Sequence, residues 1–323
     1  MKYTLLLLVL LVPSALAHVG YVVEKDVIAA NTGPDFMYLL NALTPGNAAL
    51  ILITLILVGV IYYMIEHSRF ALKELGYIQK EANTYHEYIP WISRLGLGIA
   101  LIGAGSADVF LSPSVAAIGH LGTLQIVLGF FLLAGFLTGP VAWITVFLYC
   151  FGVFSHPYLL GNLDFVGLCF AIIILGESKP GVDDLVGLPF TVPLHKLKAY
   201  VPLILRCGIG IAMTSLALYE KLLNPHLSRL VVEQYNLTSA IPVSAEMWVL
   251  SAGLIEFAVG LALLLGFRTR VFAAIAFIVL SASFFYFSEA VYSHITLFAT
   301  LSAVFITGGG AWSLDRLFKW EKA

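Results

Sequence analysis

The chain is a succession of long apolar runs separated by short polar breaks. Runs at 48–65, 95–112, 120–137, 141–155, 158–175, 201–219, 247–266, 271–288 and 290–308 are long enough, or nearly so, to cross a bilayer as helices of about 20 residues. Several fall short of that length and are bounded by Gly or Pro, so tilt, kinks and partial crossings are expected there. Two other patterns precede the second run. "MKYTLLLLVLLVPSALAH" has one Lys, a short apolar stretch and small residues at Ala15 and Ala17, the pattern of a secretory signal (1–17) that leaves His18 outside. "EHSRFALKELGYIQKEANTYHEYIPW" reads as an amphipathic helix lying on the membrane surface.

Composition turns these runs into a fold class. With 60% hydrophobic and 11% charged residues, the chain has more apolar surface than a soluble globule can bury. It is expected to be an all-α polytopic membrane protein with the lipid bilayer as its first partner and no nucleic acid among the others. Charge placement gives the orientation. Loops 66–94, 176–206, 267–270 and 309–323 hold thirteen of the seventeen Lys and Arg residues, whereas the opposite side keeps Lys25, Lys221 and Arg229. The positive-inside rule therefore puts the N-terminus outside and the C-terminus in the cytoplasm, in the plasma (cytoplasmic) membrane. Asn236, in "NLT", falls outside.

The chain also repeats itself. "RLGLGIALIGAGSADVFLSP" from Arg94 aligns with "RCGIGIAMTSLALYEKLLNP" from Arg206, bringing Asp108 over Glu220. "GTLQIVLGFFLLAGFLT" from Gly122 aligns with "GLIEFAVGLALLLGFRT" from Gly253, and "GESKPGVDDL" echoes "GGGAWSLDRL". Each unit has four runs, an even number, so the two units enter from the same side as parallel repeats. The expected organisation is a signal at 1–17 and an external segment at 18–47. An extra span with its amphipathic helix follows at 48–93, and then four-helix units at 94–187 and 188–323.

The second unit, with "LIEFAVGLALLLGFRTR" and the terminal "SLDRL", resembles the DoxX/DoxD-like family of four-helix membrane proteins, and the first unit resembles a diverged copy. The resemblance implies membrane-bound redox work. The family's best-described branch is the membrane subunit of a thiosulfate:quinone oxidoreductase, and other members accompany thiol-redox partners. It implies a quinone as cofactor and an outward-facing electron-donor protein as partner. The first unit departs in carrying Gln125 where the second has Glu256, and in reading "GVDDL" at its end. A small-solute transporter or channel and a non-catalytic scaffold, with 18–47 as a docking segment, are the alternative functions.

Glu256 is the sharpest candidate residue. A carboxylate at bilayer depth costs about 2.5–3.5 kcal/mol on insertion scales, so it needs partners or a task. Gly253 and Gly260 flank it at i−3 and i+4, the close-packing face of a membrane helix, and Gly122 and Gly129 flank Gln125 in the same way. Glu256 and Gln125 either bind neighbouring helices together, or Glu256 exchanges a proton with a quinone bound between the units. In the second case Gln125, Gly253, Gly260 and His156 would border the cofactor. Asp108, Glu220, His156, Asp164, Glu289 and His294 form a polar layer toward the outer face. Asp108, Glu220 and His294 join Glu256 there as candidates for acid–base work. Lys221 reads as a helix-end cap beside Asn224 and Pro225, and Arg94, Arg206, Arg268, Arg270 and Arg316 read as anchors to lipid phosphates.

No C-x-x-C-H motif or suitably spaced pair of histidines occurs, so neither haem nor an iron–sulfur cluster is expected. Cys150, Cys169 and Cys207 form no C-x-x-C and read as core residues. The N-terminal His18 could offer copper an amine and an imidazole, but no second ligand stands out and no metal is assigned.

Overall fold

The computed structural model describes residues 19, 23, 25–176, 181–187, 194–318 and 320. The signal at 1–17 and His18 lie outside the described residues. Among these residues the secondary structure is helical apart from one isolated bridge between Val109 and Ala116. Nine helices carry the nine apolar runs: α1 (Pro45–His67), α2 (Ile89–Ser106), α3 (Leu121–Ala134), α4 (Thr138–Ser155), α5 (Asp164–Leu175), α6 (Val201–Leu216), α7 (Ala245–Leu265), α8 (Thr269–Phe287) and α9 (Val291–Thr307). Six helical stretches, built on α1, α2, α4, α6, α7 and α8, are long and apolar enough to cross a membrane, whereas α3, α5 and α9 are shorter.

Local chemistry explains the helix ends. Thr44 and Ser244 cap α1 and α7 by accepting from the amides of Asn47 and Met247. Gly135 and Gly266 end α3 and α7 in the left-handed region, at φ 69° and 67°, where a Cβ would be strained. α6 departs from the rule. It runs on as a π-helical turn, Ala217–Leu223, before Pro225 begins a short helix, Pro225–Gln234.

Helices α2–α5 and α6–α9 form two halves that pack alike. α2 lies on α3 and α6 on α7, α4 on α5 and α8 on α9, while α5 crosses to α6 and α9 crosses to α2. Close approach depends on glycine: a Cβ on Gly98 would lie 3.0 Å from the Gly129 carbonyl, and one on Gly210 would lie 2.9 Å from that of Gly260. Buried residues of both halves belong to one core, including Leu97, Leu101, Phe165, Leu205, Leu263 and Leu301.

Arg94 and Arg206, at the end expected to be cytoplasmic, turn inward and do not reach for lipid as anticipated, whereas Arg316 is exposed. Arg94 and Arg206 are buried. Arg94 donates to the carbonyls of Leu132 and Leu133, and Arg206 to those of Leu264, Ala311 and Trp312. The last carbonyls of a helix have no partner within it, and a fork of N–H donors answers that need. Asp183 accepts from the amides of Leu137 and Thr138, as Asp315 does from those of Arg268 and Thr269, so "GVDDL" keeps the contact despite its departure in sequence. Arg270 ties the amphipathic helix Arg69–Asn83 to the bundle through Gln79 O and Asn83 Oδ1, and Arg268 pairs with Glu66. α1 touches the bundle through that ion pair and through Tyr62, whose ring lies beside Phe267 and under the Arg268 guanidinium; no residue of α1 is buried.

The described residues of the segment at 18–47 dock on their own chain. Helix Phe36–Asn41 packs on α7 and on Pro225–Gln234, and Tyr38, Leu39 and Ala42 join Val19, Leu227, Val231, Trp248 and Phe287 in a second core. His226 Nε2 lies 2.9 Å from Asp35 Oδ2, and the Tyr38 amide, followed by this bond, holds the Asp35 carboxyl below its usual range.

Candidate functional site: a buried acid network

Glu256 lies in α7 with 3% of its surface exposed, and its partner is Lys221. Lys221 Nζ stands 2.5 Å from Glu256 Oε2, with both side chains closed to solvent. Gly253 makes room for the lysine stem, since a Cβ there would come within 3.0 Å of Lys221 Cβ. Lys221 is therefore a buried counter-charge and not the helix-end cap its neighbours in sequence suggest. The π turn is the physical reason. A wider turn carries one more residue than an α turn, and here the adjacent Glu220 and Lys221 both face inward, 0% and 1% exposed.

Glu220 lies near enough to the same ammonium for their charges to interact. Its Oε1 accepts from the Val19 amide at 3.2 Å and from the Tyr158 hydroxyl, which reaches across from the first half of the chain. Its Oε2 has no hydrogen-bond partner among the described residues. One cation thus faces two carboxylates, so the group is charge-neutral only when it holds one extra proton.

A second buried group lies at the turn between α8 and α9. His294 Nε2 is 3.3 Å from Glu289 Oε2, and His294 Nδ1 is 2.9 Å from Ser293 Oγ. Burial, and then the charge of Glu220, push the Glu289 carboxyl up to about 8. Asp164, at the start of α5, is fully buried beside Thr296 of α9.

The other expected site residues sit elsewhere. Asp108 does not join Glu220 in a matched pair of acids: α2 ends at Ser106, and Asp108 is exposed in the following turn at φ 55°. Gln125 is fully buried, but its Oε1 accepts from Leu111 N at 2.8 Å and its Nε2 donates to Val109 O at 3.0 Å, so it ties down a loop of its own half. His156 is exposed at the end of α4. Gly253 and Gly260 are closed over by Lys221, Leu222 and Thr214. Tyr158 and the Val19 amide were not singled out in the sequence, where nothing local points to them. An adjacent Glu-Lys pair inside a 28-residue apolar helix was the available signal for Lys221.

Beside Glu256, within the second half and closed on one side by Gly161 of the first, lies a cavity of about 20 Å³ walled by Ile209, Met213, Leu216, Leu280, Leu297 and Leu301. That is room for one water. A quinone ring does not fit there, and Glu256 is already engaged by Lys221. Among the described residues no three His, Cys, Asp or Glu side chains are grouped to hold a metal ion.

No curated protein and no solved structure matches the chain. The DoxX family model matches residues 201–289, from the start of α6 through the turn after α8, and takes in Glu220, Lys221, Glu256 and Glu289. This integral membrane protein therefore carries a DoxX family domain at residues 201–289.

Proposed function

We propose that the chain is a proton-handling membrane component of a redox pathway linked to the quinone pool, working with an outward-facing electron-donor protein in the oxidation of sulfur compounds or thiols. The observation that carries this reading is the buried group of Glu220, Lys221 and Glu256, in which one ammonium serves two carboxylates and Glu220 keeps an oxygen with no hydrogen-bond partner among the described residues. Ionisable groups at membrane depth are costly and mark proton or substrate paths. The DoxX domain supports the redox setting. Given the size of the cavity, no step runs through a quinone at Glu256, and this chain's acids exchange protons with water while the carrier binds outside the bundle.

We further propose that residues 94–187 and 188–323 are two copies of one unit, entering from the same side, with the N-terminus outside. The matched contacts of Arg94 and Arg206, of Asp183 and Asp315, and of the two glycine pairs support this. Membranes bearing the chain should reduce a soluble ubiquinone analogue when supplied with thiosulfate or a dithiol, together with the cell's own donor proteins. Reduction no faster than in membranes lacking the chain, with each donor, would overturn the proposal.

A further inference from the structure

Glu220 is closed off by elements from three parts of the chain. Val19, itself 2% exposed, lies against its carboxyl, and helix Phe36–Asn41 packs on the π turn Ala217–Leu223 that carries it. Ser228 of helix Pro225–Gln234 donates to its backbone carbonyl. Among the described residues two donors reach Glu220 Oε1, the Val19 amide and the Tyr158 hydroxyl. They differ in what they can do with a proton. A peptide N–H keeps its hydrogen and has no lone pair to take another, so Val19 holds the carboxyl in place without exchanging protons. A phenol donates through its hydrogen and accepts through its oxygen, so it can take up a proton on one side as it gives one up on the other.

The position of Tyr158 suits that exchange. It lies in the 3₁₀ turn Pro157–Asn162, which joins α4 to α5 at the expected outer end, and it is half-buried where Glu220 is fully buried. Pro157 and Leu160 beside it are exposed. Its ring stands edge-on to that of Tyr219, which is exposed as well, with centroids 5.7 Å apart. Tyrosine favours such a boundary, where its ring has apolar surroundings and its hydroxyl a polar partner. On the other side of the path, Glu220 shares the Lys221 ammonium with Glu256, and the charge of Glu289 also acts on it. A proton that reaches Glu220 therefore neutralises an excess negative charge at a buried place, where such a charge is costly.

We infer that the Tyr158 hydroxyl carries protons between external water and Glu220, so that the first half of the chain supplies the entry to the acid network of the DoxX domain. On loading, the Tyr158 O–H bond breaks as an O–H bond forms at Glu220 Oε1, and a proton from external hydronium binds the phenol oxygen. One proton moves inward, the phenol ends neutral as it began, and emptying runs the same steps in reverse. The use of this path in the cell rests on the proton-handling reading above, but its existence does not.

The test is the rate of hydrogen–deuterium exchange at the carboxyl, followed by infrared spectroscopy of the full-length protein in lipid after transfer to D₂O. Deuteration lowers the C=O stretch of a protonated carboxyl, and the band missing from Glu220→Gln reports the proton held by Glu220, Lys221 and Glu256. Tyr158→Phe keeps the ring and removes the hydroxyl, and it should slow the shift of that band by about tenfold or more. A hydroxyl that served only to brace Glu220 would loosen the site when removed, and exchange would then stay as fast or become faster. That result, or a wild type with no band that Glu220→Gln removes, would overturn the inference. Should Tyr158→Phe not fold, Tyr158→Met also lacks the hydroxyl and carries the same expectation. Exchange needs no electron donor, so slowed exchange in a protein that reduces no quinone would sink the redox pathway and leave the path standing.

Discussion

Replacing Lys221 with Met removes the ammonium that faces Glu256 at 2.5 Å while filling about the same space. Breaking one partner out of a buried ion pair costs about 3–5 kcal/mol, because the remaining charge is stranded in a medium that cannot solvate it. Lys221 also faces Glu220, so two carboxylates lose their cation and the upper part of that range applies. Changing both residues, Lys221→Met with Glu256→Leu, removes one of the two stranded charges and leaves Glu220 to stay neutral by keeping a proton; replacing a buried ion pair in this way is neutral or stabilising by about 1–4 kcal/mol elsewhere. The double variant should therefore lie within about 2 kcal/mol of wild type, recovering on the order of 3 kcal/mol relative to Lys221→Met alone. Thermal unfolding in detergent reads this out: at about 2–4 °C per kcal/mol, the single variant should melt on the order of 10 °C lower and the double variant should recover most of the loss. A double variant that melts as low as the sum of the two singles would refute the pairing. The same pair changes what Glu256→Gln means. It does not simply copy Gln125, because it takes from Lys221 the carboxylate at 2.5 Å and leaves it Glu220 alone.

Three further outcomes follow from the geometry. Glu289 has a folded pKa of about 8 against an ordinary 4.5, so above pH 4.5 the unfolded chain gives up that proton first and stability falls as pH rises toward 8. The difference of about 3.5 pH units, at about 1.36 kcal/mol each, sets an upper bound of about 5 kcal/mol, and Glu289→Gln should flatten the melting temperature across that window; an unchanged slope contradicts this. Gln125→Leu should cost about 1–3 kcal/mol by orphaning Leu111 N and Val109 O, with little change in turnover, whereas a loss of turnover at unchanged stability would return Gln125 to the site. A reporter after Ala323 should read cytoplasmic and one at Asn236 external, and a reversal at either would overturn the orientation.

Much of the helical frame was legible because it is written locally. Length and hydropathy mark the six long helices and hydropathy alone the shorter α3, α5 and α9, and a glycine at i−3 and i+4 marks the packed face on which Glu256 lies. The long-range charge partners were not legible. Lys221 is 35 positions from Glu256 and stands beside Asn224 and Pro225, which argue for a helix end; only the π turn before them turns it inward. The alignment of Asp108 with Glu220 misled for the same reason, since α2 stops where α6 continues. Arg94 and Arg206 looked like lipid anchors because their carbonyl partners come from helix ends 38 and 58 or more residues away. A cavity's volume depends on four helices at once, so the lack of room for a quinone beside Glu256 could not be read from any one of them.

We propose that the buried acids of the DoxX domain move protons during donor-dependent quinone reduction. Glu220→Gln tests it with the least disturbance. The amide oxygen still accepts from Val19 and Tyr158, and Lys221 keeps Glu256 as its counter-charge. Quinone reduction by membranes bearing wild type or Glu220→Gln, with equal amounts of folded protein confirmed by melting temperature, is the measurement. The account predicts a fall of about 100-fold or more, since an amide cannot titrate and acid–base groups contribute about 10²–10⁴ in rate. Equal turnover in the two would contradict it.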